Sequence, residues 1–193
     1  MHHIYHTEGI ILGSRNYGEA GKCFYIFTRE LGLVYASAQG VRKLSSKLRY
    51  TLQDFSYINL DLVRGKDFWR VTTASKTGEL EDILENKDAL RIFANLAKLL
   101  RRLLAGEEKN EALFFDLIRG LRVLENAKGI EELRNGEVLL VLRVLYHLGY
   151  IGSKEHSQSV VTSPLEKDLV FEVSKNRAKI LRQINQALRE THL

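Results

Sequence analysis

The sequence predicts an α+β protein in two parts, a small five-stranded β-barrel followed by an all-α domain. Three observations carry this. Up to about residue 80 the apolar residues recur in short alternations, and beyond it they form longer stripes with the 3.6-residue period of helices. The first part is punctuated by turn chemistry at the spacing of hairpins. The chain has 193 residues, 45% of them hydrophobic, enough to bury one or two ordinary cores.

Five segments read as strands: Ile4 to Leu12, Lys22 to Thr28, Leu33 to Val41, Phe55 to Arg64 and Phe68 to Ser75, each rich in Val, Ile, Phe and Tyr. Arg29 to Gly32 joins the second to the third closely enough for a hairpin, and Gly65-Lys66 does the same for the fourth and fifth. Gly18 and Gly21 let the loop after the first strand turn tightly. Five antiparallel strands in about 75 residues fit a barrel of the OB type. Cys23 and Trp69 read as core residues of that barrel.

The helical part begins with Ala89 to Leu104, where Arg91, Asn95, Lys98 and Arg102 line one polar face. Asn110 suits the cap of a helix running to about Glu125. Gly136 to Leu148 is apolar nearly throughout and predicts a central helix, with Gly149 in the left-handed position that ends it. Ser174 is a candidate cap for a last helix whose Arg177, Leu181, Ile184 and Leu188 share a face. The expected domains are 1–79, a nucleic-acid-binding barrel, and 80–193, a helical domain with a polar connector at 152–173 that holds the only proline, Pro164.

Charge narrows the function. The net formal charge is +5, and residues 1–80 hold eleven Lys and Arg against seven Asp and Glu. Arg42, Lys43, Lys47 and Arg49 lie in an interval, Leu31 to Gln53, that has no carboxylate at all. Such a segment is suited to phosphate contacts, which carry no base-sequence information. Arg15, Tyr17 and Lys22 combine a stacking side chain with flanking cations, and Arg64, Lys66 and Arg70 place more cations at the second hairpin. In the helical part, Arg91, Lys98, Arg101, Arg102, Arg119 and Arg122 form a candidate surface for an acidic, hydrophobic-ended peptide, with exposed leucines expected beside the first four.

Other chemistries are poorly supported. No apolar run reaches the ~20 residues that cross a bilayer, and no signal-peptide pattern opens the chain, so a cytoplasmic location is expected. One cysteine cannot form an internal disulfide. Asn16 to Lys22 lacks the first glycine and the final Ser or Thr of a phosphate-binding loop. His2, His3 and His6 read as surface histidines, and Asp54, Asp61 and Asp67 lack the partners of a two-metal nuclease site. No metal, cofactor or catalytic residue is expected.

Thr7-Glu8-Gly9-Ile10-Ile11-Leu12, Arg15-Asn16-Tyr17-Gly18-Glu19-Ala20, Phe27-Thr28-Arg29-Glu30-Leu31-Gly32 and Gly40-Val41-Arg42-Lys43 together resemble the RecO family of bacterial recombination mediators. Leu52-Gln53-Asp54-Phe55-Ser56, Arg64-Gly65-Lys66-Asp67-Phe68-Trp69-Arg70 and Leu148-Gly149-Tyr150 are similar as well. The resemblance implies an OB barrel and a helical domain that bind single- and double-stranded DNA. It also implies annealing of complementary strands and help in loading recombinase onto DNA coated with single-strand-binding protein, without covalent catalysis. Implied partners are RecR and the acidic tail of single-strand-binding protein. Some family members carry a four-cysteine zinc module after the segment matching Leu148 to Tyr150, where this chain has no cysteine. A general single-stranded DNA- or RNA-binding OB protein and a protein adaptor are the alternatives.

Overall fold

The computed structural model describes residues 3–66 and 68–190. Two compact units make up the chain, one comprising Met1–Glu81 and Ala97–Glu111, the other Asp82–Leu96 and Ala112–Leu193.

The first unit is a closed barrel of β1 (Ile4–Tyr17), β2 (Gly21–Thr28), β3 (Gly32–Ala38), β4 (Tyr57–Arg64) and β5 (Trp69–Lys76), in the order β1-β2-β3-β5-β4. Both expected hairpins form, with Thr28 opposite Gly32 and Arg64 opposite Trp69. The expectation of a wholly antiparallel barrel is corrected: β3 and β5 run parallel, pairing Ala36 with Trp69 and Ser37 with Arg70. An odd number of strands cannot close into a ring by antiparallel pairs alone, so one parallel pair is a topological necessity. Strand β1 is also longer than expected. A bulge between Ile11 and Gly13 resets its register, and it then stays paired with β2 as far as Tyr17 opposite Gly21. Arg15 and Tyr17 therefore stand on a strand rather than in a loop.

The barrel core is built from alternate residues of all five strands, including Ile11, Phe24, Ile26, Val34, Ile58, Leu62 and the 3%-exposed Trp69. Cys23 is buried too, but against Tyr35 rather than in this cluster. Gly32 sits at φ +70°, where a Cβ would come within 2.7 Å of the Glu108 backbone. Neither the dihedral nor the space admits a side chain, which explains a glycine at the end of this hairpin.

The second unit is helical. Helix α1 (Leu48–Thr51) is a single turn within the basic segment of the barrel. The others are α2 (Lys87–Leu103), α3 (Glu111–Glu125), α4 (Ile130–His147), α5 (Gln158–Thr162) and α6 (Asp168–Glu190), with α2 divided between the units and Glu111, the first residue of α3, belonging to the first. Helix α4 is the buried one, with ten of its residues inaccessible. Its end at Gly149, φ +77°, follows the Schellman pattern: Gly149 N–H donates to the Tyr146 carbonyl and Tyr150 N–H to that of Leu145. Helices α3 and α4 approach closely at glycines, and a Cβ on Gly136 would lie 2.7 Å from Leu124 Cδ2.

Two helix starts differ from expectation. Helix α4 begins at Ile130, and α6 at Asp168, where burial of Leu169, Val170 and Val173 extends the apolar face upstream. Ser174 is thus inside a helix, and its hydroxyl donates to the Phe171 carbonyl at 2.7 Å instead of capping. The segment before α6 is also ordered by a residue that patterning alone did not mark. Arg143, 4% exposed on α4, meets Asp116 at 3.3 Å and donates to the carbonyls of Val161 and Ser163. His147 Nε2 lies 2.7 Å from the same Asp116 carboxylate. Burial pushes the Arg143 pKa below its ordinary value, with Asp116 opposing the shift.

Gly32→Ala is expected to lower unfolding free energy by roughly 2–4 kcal/mol in urea titration, from left-handed strain plus overpacking. Arg143→Ala leaves two carbonyls without their donor and Asp116 with His147 alone, and is expected to cost roughly 3 kcal/mol in the same measurement.

Candidate nucleic-acid interface

Aromatic rings form a row across one side of the barrel. Tyr25 on β2 and Tyr35 on β3 are directly paired across the strands, with ring centroids 5.0 Å apart. Phe68, in the β4–β5 hairpin, meets Tyr35 edge-on at 6.2 Å and Tyr17 at 5.6 Å. Tyr17, at the end of β1, is 47% exposed. This is the surface of strands 2 and 3 with the 1–2 and 4–5 loops that OB barrels present to oligonucleotides.

Cations overlie the row. Arg15 lies 5.0 Å from the Tyr35 ring centroid and its Nε donates to the Tyr35 hydroxyl, a bond that raises the guanidinium's pKa. Burial pushes the Tyr35 phenol up in turn. Arg101 lies 4.4 Å from the centroid of Tyr25. Gly13, on β1 opposite Tyr25, makes room for it, since a Cβ there would sit 2.9 Å from an Arg101 nitrogen. Rings that carry guanidinium on their faces and edges offer both stacking and charge to a strand of nucleic acid.

The basic segment lies in the same unit. Val41 and Leu52, each 2% exposed, anchor its two ends in the barrel core, while Arg42, Lys43, Lys47 and Arg49 between them are exposed. Arg42 N–H donates to the Ala20 carbonyl and its guanidinium to that of Glu19 at 3.3 Å. Among the described residues, none of the four has a carboxylate partner. Lys22 on β2, 3.5 Å from Ser14 Oγ, joins Arg42 and Arg49 in lining a cleft of about 570 Å³.

The remaining predicted residues divide by what holds them. Arg64 is engaged: it pairs with Glu107 and lies 4.9 Å from the Trp69 ring centroid, while the Trp69 indole N–H donates to the same carboxylate at 3.0 Å. Its charge is spent inside the unit. Lys66 and Arg70 are exposed. In the helices, Arg91 pairs with Asp88 at 3.6 Å, and Lys98, Arg101, Arg102, Arg119 and Arg122 are exposed. The exposed leucines expected beside them are corrected: Leu96, Leu100 and Leu103 are buried because they form the apolar stripe of α2. The apolar group beside a cation lies instead on α3, where Phe115 is 36% exposed one turn before Arg119.

Tyr25, Tyr35 and Phe68 escaped the sequence reading because each sits inside a strand-like apolar run. For Tyr25 and Tyr35 the available signal was the phenol, which keeps its polar tip wet while the neighbouring residues point inward; Phe68 carried none. Of the histidines, His6 Nδ1 donates at 2.6 Å to the Asp61 carboxylate, which Thr73 holds below the usual carboxylate range. His3 packs edge-on against Tyr5. His2 and Asp67 lie outside the described residues. Among the described residues no cluster of three metal-binding side chains occurs, and no helix is long and apolar enough to cross a membrane.

Fold and surface define an OB-barrel protein with an aromatic, cation-rich face and a helical unit. Residues 1–78 match the family described as "Recombination protein O N terminal". The chain is 32% identical over 142 residues to the DNA repair protein RecO of Rubrobacter xylanophilus, covering 72% of this chain and 57% of that one. It is 28% identical over 162 residues to that of Pelotomaculum thermopropionicum (84% and 63%) and 30% over 156 residues to that of Alkaliphilus metalliredigens (81% and 61%). The chain spans about three-fifths of the length of these relatives. It belongs to the RecO family of DNA repair proteins.

Arg42→Glu with Lys43→Glu is expected to weaken single-stranded DNA binding and to flatten its log–log salt dependence by about 1.4, the share of two phosphate contacts. Thermal melting should stay unchanged, because both side chains are exposed.

Proposed function

We propose that this protein binds DNA through its barrel, anneals complementary single strands and assists recombinase loading on DNA coated with single-strand-binding protein, acting in the cytoplasm on nucleoid DNA without covalent catalysis. The observation that carries the reading is the row Tyr17, Phe68, Tyr35 and Tyr25 beside cations, Arg15 and Arg101, that have no carboxylate partner among the described residues. Stacking holds unpaired bases at ~1–3 kcal/mol each whatever their identity, and the cations hold phosphates whatever the sequence. Two strands whose charge is screened in this way meet without the repulsion that slows their pairing. Duplex DNA offers the same phosphates but no open base faces, so it should bind more weakly.

RecR and the acidic tail of single-strand-binding protein are the proposed protein partners. For the tail, Phe115 beside Arg119 on α3 supplies the two chemistries that an acidic peptide with a hydrophobic end requires, an apolar contact and a cation one turn apart.

Annealing of two complementary oligonucleotides, naked and coated with single-strand-binding protein, tests this without nucleotide or metal. Acceleration of both reactions is expected, with Tyr17→Ala slowing them and high salt suppressing them. Binding without acceleration would reduce the protein to a general single-strand binder, and absence of binding at low salt would leave a protein adaptor.

A further inference from the structure

The cleft beside the basic segment is chemically asymmetric. Lys22, Arg42 and Arg49 supply cations, and the Arg42 guanidinium is held by the Glu19 carbonyl rather than by a carboxylate. Val41 and Leu52, part of the barrel core, add apolar surface. Tyr50, 66% exposed on α1, brings an aromatic face, although exposing so much of a phenol serves no purpose in folding. Gln53 and Asp54 add hydrogen-bonding groups, and Asp54 is the single carboxylate among the lining residues.

A ligand that satisfies all of these must be anionic at one end, flat and apolar on its faces, and a hydrogen-bond donor along one edge. Inorganic phosphate uses only the cations, and a sugar phosphate has no face for Tyr50. A nucleotide meets every requirement, and a volume of about 570 Å³ lies within the ~300–1,000 Å³ typical of small-ligand sites. We infer that this cleft is a mononucleotide site that takes one unstacked nucleotide of a strand, with guanine preferred. The inference rests on the strand-binding reading above and adds a base preference that the aromatic row cannot supply.

The preference follows from Asp54. Guanine presents two adjacent N–H donors, N1 and N2, to the two oxygens of a carboxylate. Thymine presents a single N3–H between two carbonyl oxygens, which the carboxylate repels. Adenine and cytosine, each with one amino group, fall between. The phosphate goes to the cationic side, since the carboxylate excludes it from its own.

Titration of the ¹⁵N-labelled full chain with dGMP, dTMP and inorganic phosphate tests the site. Saturable amide shifts at Tyr50, Gln53 and Asp54 are expected with dGMP, with dTMP about tenfold weaker, the discrimination of one good bidentate contact. Asp54→Asn should abolish the difference between the bases, and Tyr50→Ala should weaken both nucleotides about tenfold. Both side chains are exposed, so neither variant should lose its fold. Equal affinity for dGMP and inorganic phosphate would overturn the inference, as would shifts confined to Tyr25 and Tyr35 or no saturation at all. Binding of oligo-dT, measured on the same samples, separates the two readings. Intact oligo-dT binding with no dGMP site overturns the cleft alone, whereas a dGMP site without oligo-dT binding supports the cleft and overturns the strand-binding reading.

Discussion

Closure of the barrel by two parallel residue pairs, Ala36 with Trp69 and Ser37 with Arg70, is the constraint on which the first unit depends. The pairing is short, and side chains reinforce it. Ser37 Oγ donates to the Trp69 carbonyl, while the Trp69 indole and Arg64 both reach Glu107. Without closure, β5 would leave β3 as an open edge, and Phe68 would no longer stand between Tyr17 and Tyr35. The aromatic row is therefore a product of ring closure rather than of any one strand.

The helical unit depends on a comparable device of opposite polarity. An arginine is buried on its central helix, and its hydrogen bonds to Val161 and Ser163 tie down a segment too polar to hold itself by apolar burial alone. Ser157 and Gln183 extend the arrangement, the Ser157 hydroxyl bonding Gln183 Oε1 at 3.1 Å and the Gln183 amide donating to the Gly152 carbonyl at 3.0 Å. These polar contacts act together with the burial of Val160, Val161 and Leu165 to order the segment.

What the sequence revealed follows the physical range of each signal. Strand alternation, hairpin spacing and the glycine after α4 are local, and they were legible. The exposed basic segment was legible too, because absence of carboxylates can be counted along the chain. Ring closure and the bond of Arg143 to Asp116 join residues distant in sequence, and no periodicity encodes them. Arg64 shows the limit from the other side. It looks like Arg42 in the sequence, yet Glu107 occupies it, from a stretch of chain that only folding brings near. Ser174 was misleading because an interior helical serine and a capping serine share the same local signature until the buried residues upstream are known.

The exposed cations between Val41 and Leu52 also act before any contact is made. Their field extends about one Debye length, ~8 Å at physiological ionic strength, and among the described residues none of the four cations is paired with a carboxylate. On the proposed reading, capture of a strand and its release fall to different parts of the barrel. The basic segment would set how often an encounter succeeds and the aromatic row how long it lasts, so ionic strength should act chiefly on the rate of arrival and ring substitutions on the residence time.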